Sequence, residues 1–594
     1  MTAVAFLPAL DAGFVNWDDD RNFLDNPSYR GLGPAQLRWM WTTFHMGHYV
    51  PLTWMTHGLD YALWGMNPRG YHLTNLVLHC AAAAAVCLLA RRLLALAFPI
   101  AASQEPRRIV AGAATAALLF AVHPLRVESV AWVTERRDVL SGLLYALTLL
   151  AYVRSAEDGG ARRWYWISLA LFAAALLSKA VVMTAPAVIL ILNVYPLRRL
   201  ASWQDAFRAG GGRVALDIAP FAILAAGAAA LSIVALKPPA QLDIAAKLAV
   251  SAWSFAYYLG KTILPTSLSP LHEMPRALDP LDTRFLVAYL VVAAGVAGWC
   301  YALRRAPGAA AATAAWVVLL LPTVGVVQNG PQIVADRYTY HAAPALAIMA
   351  GAVLIAVPRA RDRLARILAA AAVVILAGAT WRQTTFWKDS QSLWRRVLEI
   401  EPRSPMAEVS LASDLASRGR FAEAAAHAKR ATELDPTSAE AQNNLGVALT
   451  RGGFPGDAIP AFIRAIEIKP GYGEAYSNWG NAMIRMGDIH GAIGLYQRAV
   501  AASPAYADAQ VNWGNALVRL DSAAAAIPHY EAALALRPDN ADAHLNWGVA
   551  LARIGRFAEA ADQFRNALAL DPGLTQARDY LGRVSAAARS PPPR

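Results

Sequence analysis

The chain has 594 residues, of which 56% are hydrophobic and only 16% are charged. Soluble globular proteins carry about a quarter charged residues, so this composition argues against a fully soluble protein and for a membrane protein. The formal net charge is +12. The arginines cluster between apolar segments, which is typical of membrane loops and argues against a nucleic-acid-binding protein. The three cysteines lie in apolar segments, so the soluble part has no disulfide framework or zinc site.

The chain begins with a short apolar segment, residues 1–15. It is shorter than the ~20 residues of a membrane-spanning helix and lacks the basic start and cleavage site of a signal peptide. We interpret it as a shortened first membrane helix. Together with the candidate spans that follow, it brings the predicted number of membrane spans to about eleven. These later spans centre on 71–90, 109–123, 138–153, 164–179, 181–195, 214–236, 285–303, 309–327, 341–357 and 364–381.

Basic residues recur in every second loop, which predicts that these loops are cytoplasmic. The segment 244–264 is apolar enough to span, but a crossing there would place Arg304 and Arg305 outside. We therefore interpret it as interfacial or re-entrant. Everything after Trp381 is then predicted to lie outside the cytoplasmic membrane, on its periplasmic side. The same prediction applies to the loops 16–70, 123–137, 237–284 and 328–340.

Prolines recur at 34-residue intervals in the last third of the chain: Pro402, Pro436, Pro470, Pro504, Pro538 and Pro572. This is the tetratricopeptide-repeat period. We predict an all-α protein with a polytopic transmembrane helical domain (1–387) and a tetratricopeptide-repeat α-solenoid. The remaining boundaries are a linker at 388–404, five repeats and a capping helix within 405–588, and a disordered tail at 589–594.

Within the repeats, glycine, alanine and aromatic residues keep the same register, as do four asparagines: Asn444, Asn478, Asn512 and Asn546. Repeat arrays form a concave groove that binds peptides or proteins. A row of amides there could hydrogen-bond an extended peptide backbone, as in the O-GlcNAc transferase, whose array this one resembles. Alternatively, the asparagines are repeat-consensus residues that bond between helices.

Ionisable residues cluster at the predicted outer membrane face, where they are costly and often functional. One cluster is the run Asp18 to Asp20, although such a run is often a solvated loop. A second contains Glu128, Arg136 and Asp138, and it could alternatively be a salt-bridged loop. Lys179 and Arg337 lie in two further outer turns. Lysine there could snorkel to water or bind phosphate, and arginine binds phosphate oxygens bidentately.

Several segments in order along the chain resemble the transmembrane and tetratricopeptide-repeat O-mannosyltransferases and their bacterial relatives. They are GFVNWDDD, HPLRVESVAWVTERRDVL, LLSKAVVMTAP, ILNVYPLRR, YYLGKTILPTSLSP and ADRYTYHAAP, followed by the repeats. His341 and Asn193 depart from the family pattern. The resemblance implies a C-type membrane glycosyltransferase fold.

The resemblance implies a donor that carries a monosaccharide on a polyprenyl phosphate, and mannose is the first candidate for the sugar. The implied acceptor is Ser or Thr of an exported protein. Asp18 or Asp19 would be the catalytic base, supported by Glu128 and Asp138. The phosphate partners would be Arg136, Lys179 and Arg337. The resemblance implies neither a metal nor a cofactor.

A non-enzymatic alternative is a membrane-anchored scaffold whose repeats recruit envelope proteins. The repeats support both hypotheses equally. A scaffold needs only one or two anchoring spans, so the number of spans and the ionisable clusters favour the enzyme.

Overall fold

The computed structural model describes residues 1–157, 162–202, 205, 212–235, 242–275, 278–325 and 332–587. The predicted tail 589–594 and parts of the predicted outer loops 237–284 and 328–340 lie outside these residues. The chain divides into two units, Met1–Glu401 and Pro402–Arg594.

The first unit is helical. Its α-helices are α1 (Thr2–Ala5), α2 (Pro34–Thr42), α3 (Pro51–Trp64), α4 (Pro68–Ala97), α5 (Pro99–Gln104), α6 (Pro106–Ala121), α7 (Val127–Ala131), α8 (Arg136–Glu157), α9 (Arg162–Ser178), α10 (Ala185–Val194), α11 (Gly212–Ala235), α12 (Ile244–Ile263), α13 (Thr283–Arg305), α14 (Pro307–Leu320), α15 (Ala343–Ala356), α16 (Asp362–Thr385) and α17 (Ser390–Ile400). Its core lies mainly among α8, α9, α10, α11, α12 and α14.

The chain is a multi-pass membrane protein. Among the described residues, five helical segments are long and apolar enough to cross a membrane, and α6 with the bent continuation Pro124–Ala131 would make a sixth. The five are Pro68–Ala97, Val133–Glu157, Gly212–Ala235, Thr283–Arg305 and Arg359–Thr385. This number is smaller than the expected eleven because several predicted spans form shorter apolar helices, among them α10, α14 and α15.

Residues 1–15 do not form the expected membrane helix. They form α1 and a 3₁₀ turn at Leu7–Asp11, with Pro8 at the start of that turn. Proline lacks a backbone N–H and does not fit inside a helix, which accounts for the break. Phe6 and Ala9 are fully buried, and the segment packs against α4 and α16.

The predicted linker 388–404 contains an ordered helix, α17. Leu393, Trp394 and Val397 of α17 are buried, and their spacing makes one apolar helix face. Trp394 stacks on Trp17 with ring centroids 4.9 Å apart, and its Nε1–H donates to Asn16 Oδ1 at 2.6 Å. This helix therefore holds the segment that leads into Asp18.

The strands among the described residues form one two-stranded antiparallel sheet. It pairs β1 (His272–Glu273) with β2 (Gln332–Val334). Beside it, α12 contacts the turn after β2. The Ala335 N–H donates to Tyr258 Oη at 3.2 Å, and the Tyr257 hydroxyl donates to Asp336 Oδ1 at 2.9 Å. These contacts fix the turn that carries Arg337.

The second unit confirms the predicted repeat fold. Its helices are α18 (Pro405–Ser417), α19 (Phe421–Leu434), α20 (Ala439–Arg451), α21 (Pro455–Ile468), α22 (Gly473–Met486), α23 (Ile489–Ala502), α24 (Ala507–Arg519), α25 (Ala523–Leu536), α26 (Ala541–Arg553), α27 (Phe557–Leu570) and the capping helix α28 (Thr575–Ala587). The first helices of successive repeats pack against one another and therefore line the inner face.

The packing inside a repeat shows why glycine occupies its register position. A Cβ at Gly480 in α22 would lie 2.5 Å from the Tyr496 ring of α23, and that ring is fully buried. By contrast, a Cβ at Gly494 in α23 would meet no atom within 4 Å.

We expect Gly480→Ala to destabilise the repeats by about 1–3 kcal/mol, because the methyl group would force the buried ring to move. Gly494→Ala is the matched control, and it should be neutral or stabilise by up to about 1 kcal/mol, because alanine favours an open helix position. Urea-dependent proteolysis of the repeats in the full-length chain measures both. Equal stability of the two variants would contradict this packing.

Candidate active site

A buried carboxylate, Glu135, binds three cations. Lys179 Nζ donates to its Oε2 at 2.8 Å, Arg137 Nη2 donates to its Oε1 at 2.6 Å, and Arg337 Nε lies 3.3 Å from the same oxygen. Glu135 is fully buried. Since the three cations come from the start of α8, the turn after α9 and the turn after β2, one carboxylate ties three separate elements together.

Glu128 holds Arg337 from the other side. Its Oε2 accepts the backbone N–H of Arg337 at 2.9 Å, and its Oε1 accepts a short hydrogen bond from Nη1. The guanidinium also lies over the Trp132 ring, 5.4 Å from the centroid. The carboxylates of Glu128 and Glu135 raise the pKa of Arg337 well above its usual value, so the group is always charged.

Asp138 completes the cluster from the first turn of α8. Its Oδ1 accepts from Lys179 Nζ at 2.7 Å, and its Oδ2 accepts from Ser129 Oγ at 3.0 Å. His341 Nδ1 lies 3.9 Å from the same carboxylate. The structure thus brings together the predicted residues Glu128, Asp138, Lys179 and Arg337.

Asp19 is a structural clamp. It is 1% exposed. Its Oδ1 accepts from the backbone N–H and the hydroxyl of Thr134, at 3.1 and 2.7 Å, and its Oδ2 accepts from the Val15 N–H at 3.1 Å. Burial raises the pKa of Asp19 to about 7 although these donors lower it. Asp19 therefore fixes the turn of the Asp run onto the segment before α8.

Asp18 differs from Asp19 in geometry and in partners. It is partly exposed and has φ +76°, a region that non-glycine residues rarely occupy and that often marks functional sites. Its carboxylate accepts no hydrogen bond from the described part of the chain. Burial raises the pKa of Asp18, and the guanidinium groups of Arg137 and Arg337 oppose this rise. Among the described residues, Asp18 is therefore a carboxylate without a hydrogen-bond partner beside two cations.

Arg136 lies elsewhere. It is fully buried and pairs with Asp60 Oδ2 at 2.5 Å. It also donates to Asn75 Oδ1 and to the Tyr71 carbonyl, both at 2.7 Å. These bonds join α8 to α3 and α4. Arg136 is thus committed to the fold, and its neighbour Arg137 takes the place that was predicted for it beside Lys179 and Arg337.

A cavity of about 760 Å³ opens at this cluster. One part is polar and is lined by His48, Arg137, Asp138, Lys179 and Arg337. The rest is lined mainly by apolar side chains of α9 and α11, such as Leu176, Leu177, Ile223, Leu224 and Leu231. The cavity can therefore hold a molecule with an anionic head and a hydrocarbon tail.

Sequence reasoning missed three polar residues of the site. Glu135 binds the cations, and Arg137 and His48 line the cavity. Arg136 and Arg137 are adjacent on a helix and face different directions, and the sequence does not tell which of them faces a cavity. Glu135 and Arg137 do stand in the ionisable run that was singled out. His48 gave no signal. Burial, with the neighbouring cation of Arg137, lowers the pKa of His48 to about 3, so its imidazole is neutral.

The four asparagines of the repeats fall into two pairs. Asn478 Nδ2 donates to Asn443 Oδ1 at 3.0 Å, and Asn512 Nδ2 donates to Ser477 Oγ at 3.1 Å. Asn444 and Asn546 make no side-chain hydrogen bond within the described ranges. The residues 35 positions before them, Val409 and Val511, are aliphatic and cannot accept one. Bonding between repeats therefore accounts for one pair only.

Within the described ranges, no group of three or more His, Cys, Asp or Glu residues is arranged to hold a metal ion. The expectation of a metal-independent, cofactor-independent protein stays a prediction.

Comparison with known proteins gives matches of two kinds. The tetratricopeptide repeat family model matches residues 409–473, 478–527 and 511–575. A solved structure, a thermophilic TPR protein of Thermus thermophilus, is 21% identical with a TM-score of 0.29. It covers 31% of this chain and 100% of its own.

The curated relatives confirm the family resemblance over part of the chain. Protein O-mannosyl-transferase Tmtc2 of Drosophila melanogaster is 36% identical over 216 residues, 34% of this chain and 21% of that protein. Tmtc1 of the same organism is 38% identical over 31% of this chain and 20% of its own length. The human protein O-mannosyl-transferase TMTC1 is 34% identical over 25% of this chain and 17% of its own. The matched part thus spans about a fifth of these relatives.

We expect Glu135→Gln to destabilise the membrane unit by about 3–5 kcal/mol, because it leaves three cations close together with only two carboxylates. The control is Glu399→Gln, which breaks an ion pair with Arg396 whose Glu side chain is 61% exposed and should cost at most about 1 kcal/mol. Thermal unfolding in detergent compares the two. A Glu135→Gln variant as stable as the control would contradict the central role of Glu135.

Proposed function

We propose that the chain is an integral-membrane glycosyltransferase. It moves a monosaccharide, mannose, from a polyprenyl-phosphate carrier to Ser or Thr of exported proteins held by the repeats. One observation carries the proposal. A cluster of cations lies at an apolar cavity, next to a carboxylate, Asp18, that accepts no hydrogen bond from the described residues. The similarity to proteins named O-mannosyl-transferases supports it.

The donor fits the cavity by its chemistry. A polyprenyl tail would contact the apolar side chains of α9 and α11, and its phosphate would lie at the cluster. Lysine has three N–H donors and arginine five. Lys179 uses two of them on Glu135 and Asp138, while Arg137 binds Glu135 through Nε and Nη2. One N–H of Lys179 and the Nη1 group of Arg137 remain available to phosphate oxygens.

Transfer then proceeds by direct displacement. The Asp18 carboxylate accepts the proton of the acceptor hydroxyl, and the hydroxyl oxygen forms a bond to the anomeric carbon. The bond from that carbon to the phosphate oxygen breaks, and the phosphate leaves with the electron pair. Lys179, Arg137 and Arg337 stabilise the charge that develops on it. Attack opposite the leaving group inverts the anomeric carbon.

The acceptor is an extended segment of an exported protein, bound by the repeats. The side-chain amides of Asn444 and Asn546 make no hydrogen bond to the described residues, which supports a role in binding a peptide backbone. The site lies at the periplasmic face of the cytoplasmic membrane, and the repeats lie on the same side. The alternation of basic loops along the sequence supports this orientation.

We expect Asp18→Asn to abolish transfer of radiolabelled mannose from polyprenyl phosphate to protein in membranes. Asparagine keeps the size of the side chain but cannot accept the proton. Asp20→Asn is the control, because the side-chain hydrogen bond of Asp20 is to the adjacent Arg21 N–H, and it should keep activity. Full transfer by Asp18→Asn at normal expression would refute the assignment.

The pH dependence provides an independent check on Asp18. Burial raises the pKa of Asp18, and only its ionised form accepts a proton. Activity should therefore decline on acidification, at a pH above the ordinary Asp value. A rate that stays constant as the pH falls to ~4 would exclude this base.

The two pairs of asparagines separate the two hypotheses about the row of amides. We expect Asn444→Ala with Asn546→Ala to weaken acceptor binding by about tenfold, with no loss of repeat stability, because those amides have no partner within the described ranges. Asn478→Ala with Asn512→Ala should also lower stability, by about 1 kcal/mol for each lost bond. Binding of a Ser/Thr-rich peptide and urea unfolding measure the two effects. If Asn444→Ala with Asn546→Ala binds the peptide normally, the row is purely structural.

A further inference from the structure

The first unit contains a second cavity, of about 480 Å³, which we call the slot. Its walls come from α4, α8, α10, α14 and α15. One end is closed by Tyr340 and His341, on the far side of His341 from the polar cluster, and Arg305 lies at the other end. The proposed transfer reaction does not use the slot.

The slot is long. It follows α15 from Pro344 to Ala356, which is ~18 Å at 1.5 Å per residue. A single hydrocarbon chain fits this length and the apolar lining. The length is close to that of one leaflet of the hydrocarbon core, ~15 Å.

The charge of the lining indicates the head group. Among the described residues that line the slot, Arg305 is the only lysine, arginine, aspartate or glutamate. It is exposed, so its guanidinium can reach the level of lipid head groups, and arginine matches phosphate oxygens. Tyr195 and Pro196 line the same end of the slot. The slot therefore combines a hydrocarbon channel with one cation at its mouth.

We propose that the slot binds one acyl chain of an anionic phospholipid, whose phosphate pairs with Arg305. The lipid belongs to the leaflet on the basic face of the protein, opposite the polar cluster. Its chain fills the space between α14 and α15 and ends against Tyr340 and His341. It is a resident lipid and not a donor, since no lysine, arginine, aspartate or glutamate of the described residues other than Arg305 lies along the slot.

Lipid competition tests this binding. The full-length chain in detergent is incubated with equal amounts of phosphatidylglycerol and phosphatidylcholine carrying the same acyl chains, and bound lipid is counted by native mass spectrometry. The chain should retain one phosphatidylglycerol, in at least fivefold preference over phosphatidylcholine. Arg305→Gln should lose this preference. Arg304→Gln, which removes an adjacent exposed arginine that does not line the slot, should keep it.

A variant that fills the slot tests the site of the chain. Ala312→Phe should exclude the lipid altogether, whereas equal lipid retention by Ala312→Phe and the unchanged protein would overturn the proposal. Equal preference in Arg305→Gln and Arg304→Gln would also overturn it, and this comparison remains available if Ala312→Phe does not fold. Displacement of phosphatidylglycerol by an equal concentration of oleate would show that a fatty acid is the occupant, against the proposal.

Discussion

The membrane unit depends on the burial of one carboxylate among three cations. Taking Glu135 out of water costs several kcal/mol, and so does burying each cation, unless the charges pair closely. Lys179, Arg137 and Arg337 lie within 3.3 Å of Glu135, and Glu128 and Asp138 supply the remaining negative charge. Because these groups come from distant segments of the chain, this ion cluster fixes the relative positions of α7, α8, the turn after α9 and the turn after β2.

The segment of the Asp run is held onto this cluster from two directions. Asp19 clamps it to Thr134, directly before Glu135, and α17 clamps it through the Trp17–Trp394 stack and the bond from Trp394 to Asn16. A positive φ at Asp18 is tolerated because its neighbours are fixed on both sides. The position of the Asp run therefore also depends on α17, the helix that follows the last membrane span.

Elements with a strong sequence period were predicted correctly. The predictions were wrong or incomplete where tertiary contacts determine the structure. The 34-residue repeat and the long apolar helices follow from periodicity and length alone. The helix α17 was missed because its apolar face has only three residues. In the sequence such a short face is not distinct from a linker, and only the structure shows that Trp394 of this face stacks on Trp17. Arg136 was predicted as a site residue and Arg137 was not, because the sequence does not distinguish two adjacent arginines. The structure distinguishes them, since Arg136 pairs with Asp60 of α3. The sequence likewise did not distinguish Asp18 from Asp19. The structure does, because among the described residues Asp19 has hydrogen-bond partners and Asp18 has none.

A comparison of the hydrogen bonds that the carboxylates accept favours Asp18 as the base. Both oxygens of Glu128, Glu135, Asp138 and Asp19 accept hydrogen bonds. If any of these carboxylates took a proton from the acceptor, it would have to give up a bond to a buried donor, which costs about 1–3 kcal/mol or more for a charged donor. Asp18 has no such bond to any described residue. Its raised pKa also makes it a stronger base than an ordinary aspartate, while the adjacent guanidinium groups oppose this rise. Three acidic residues near the cavity thus bind the cations, and in the proposed reaction Asp18 is the carboxylate that accepts the proton.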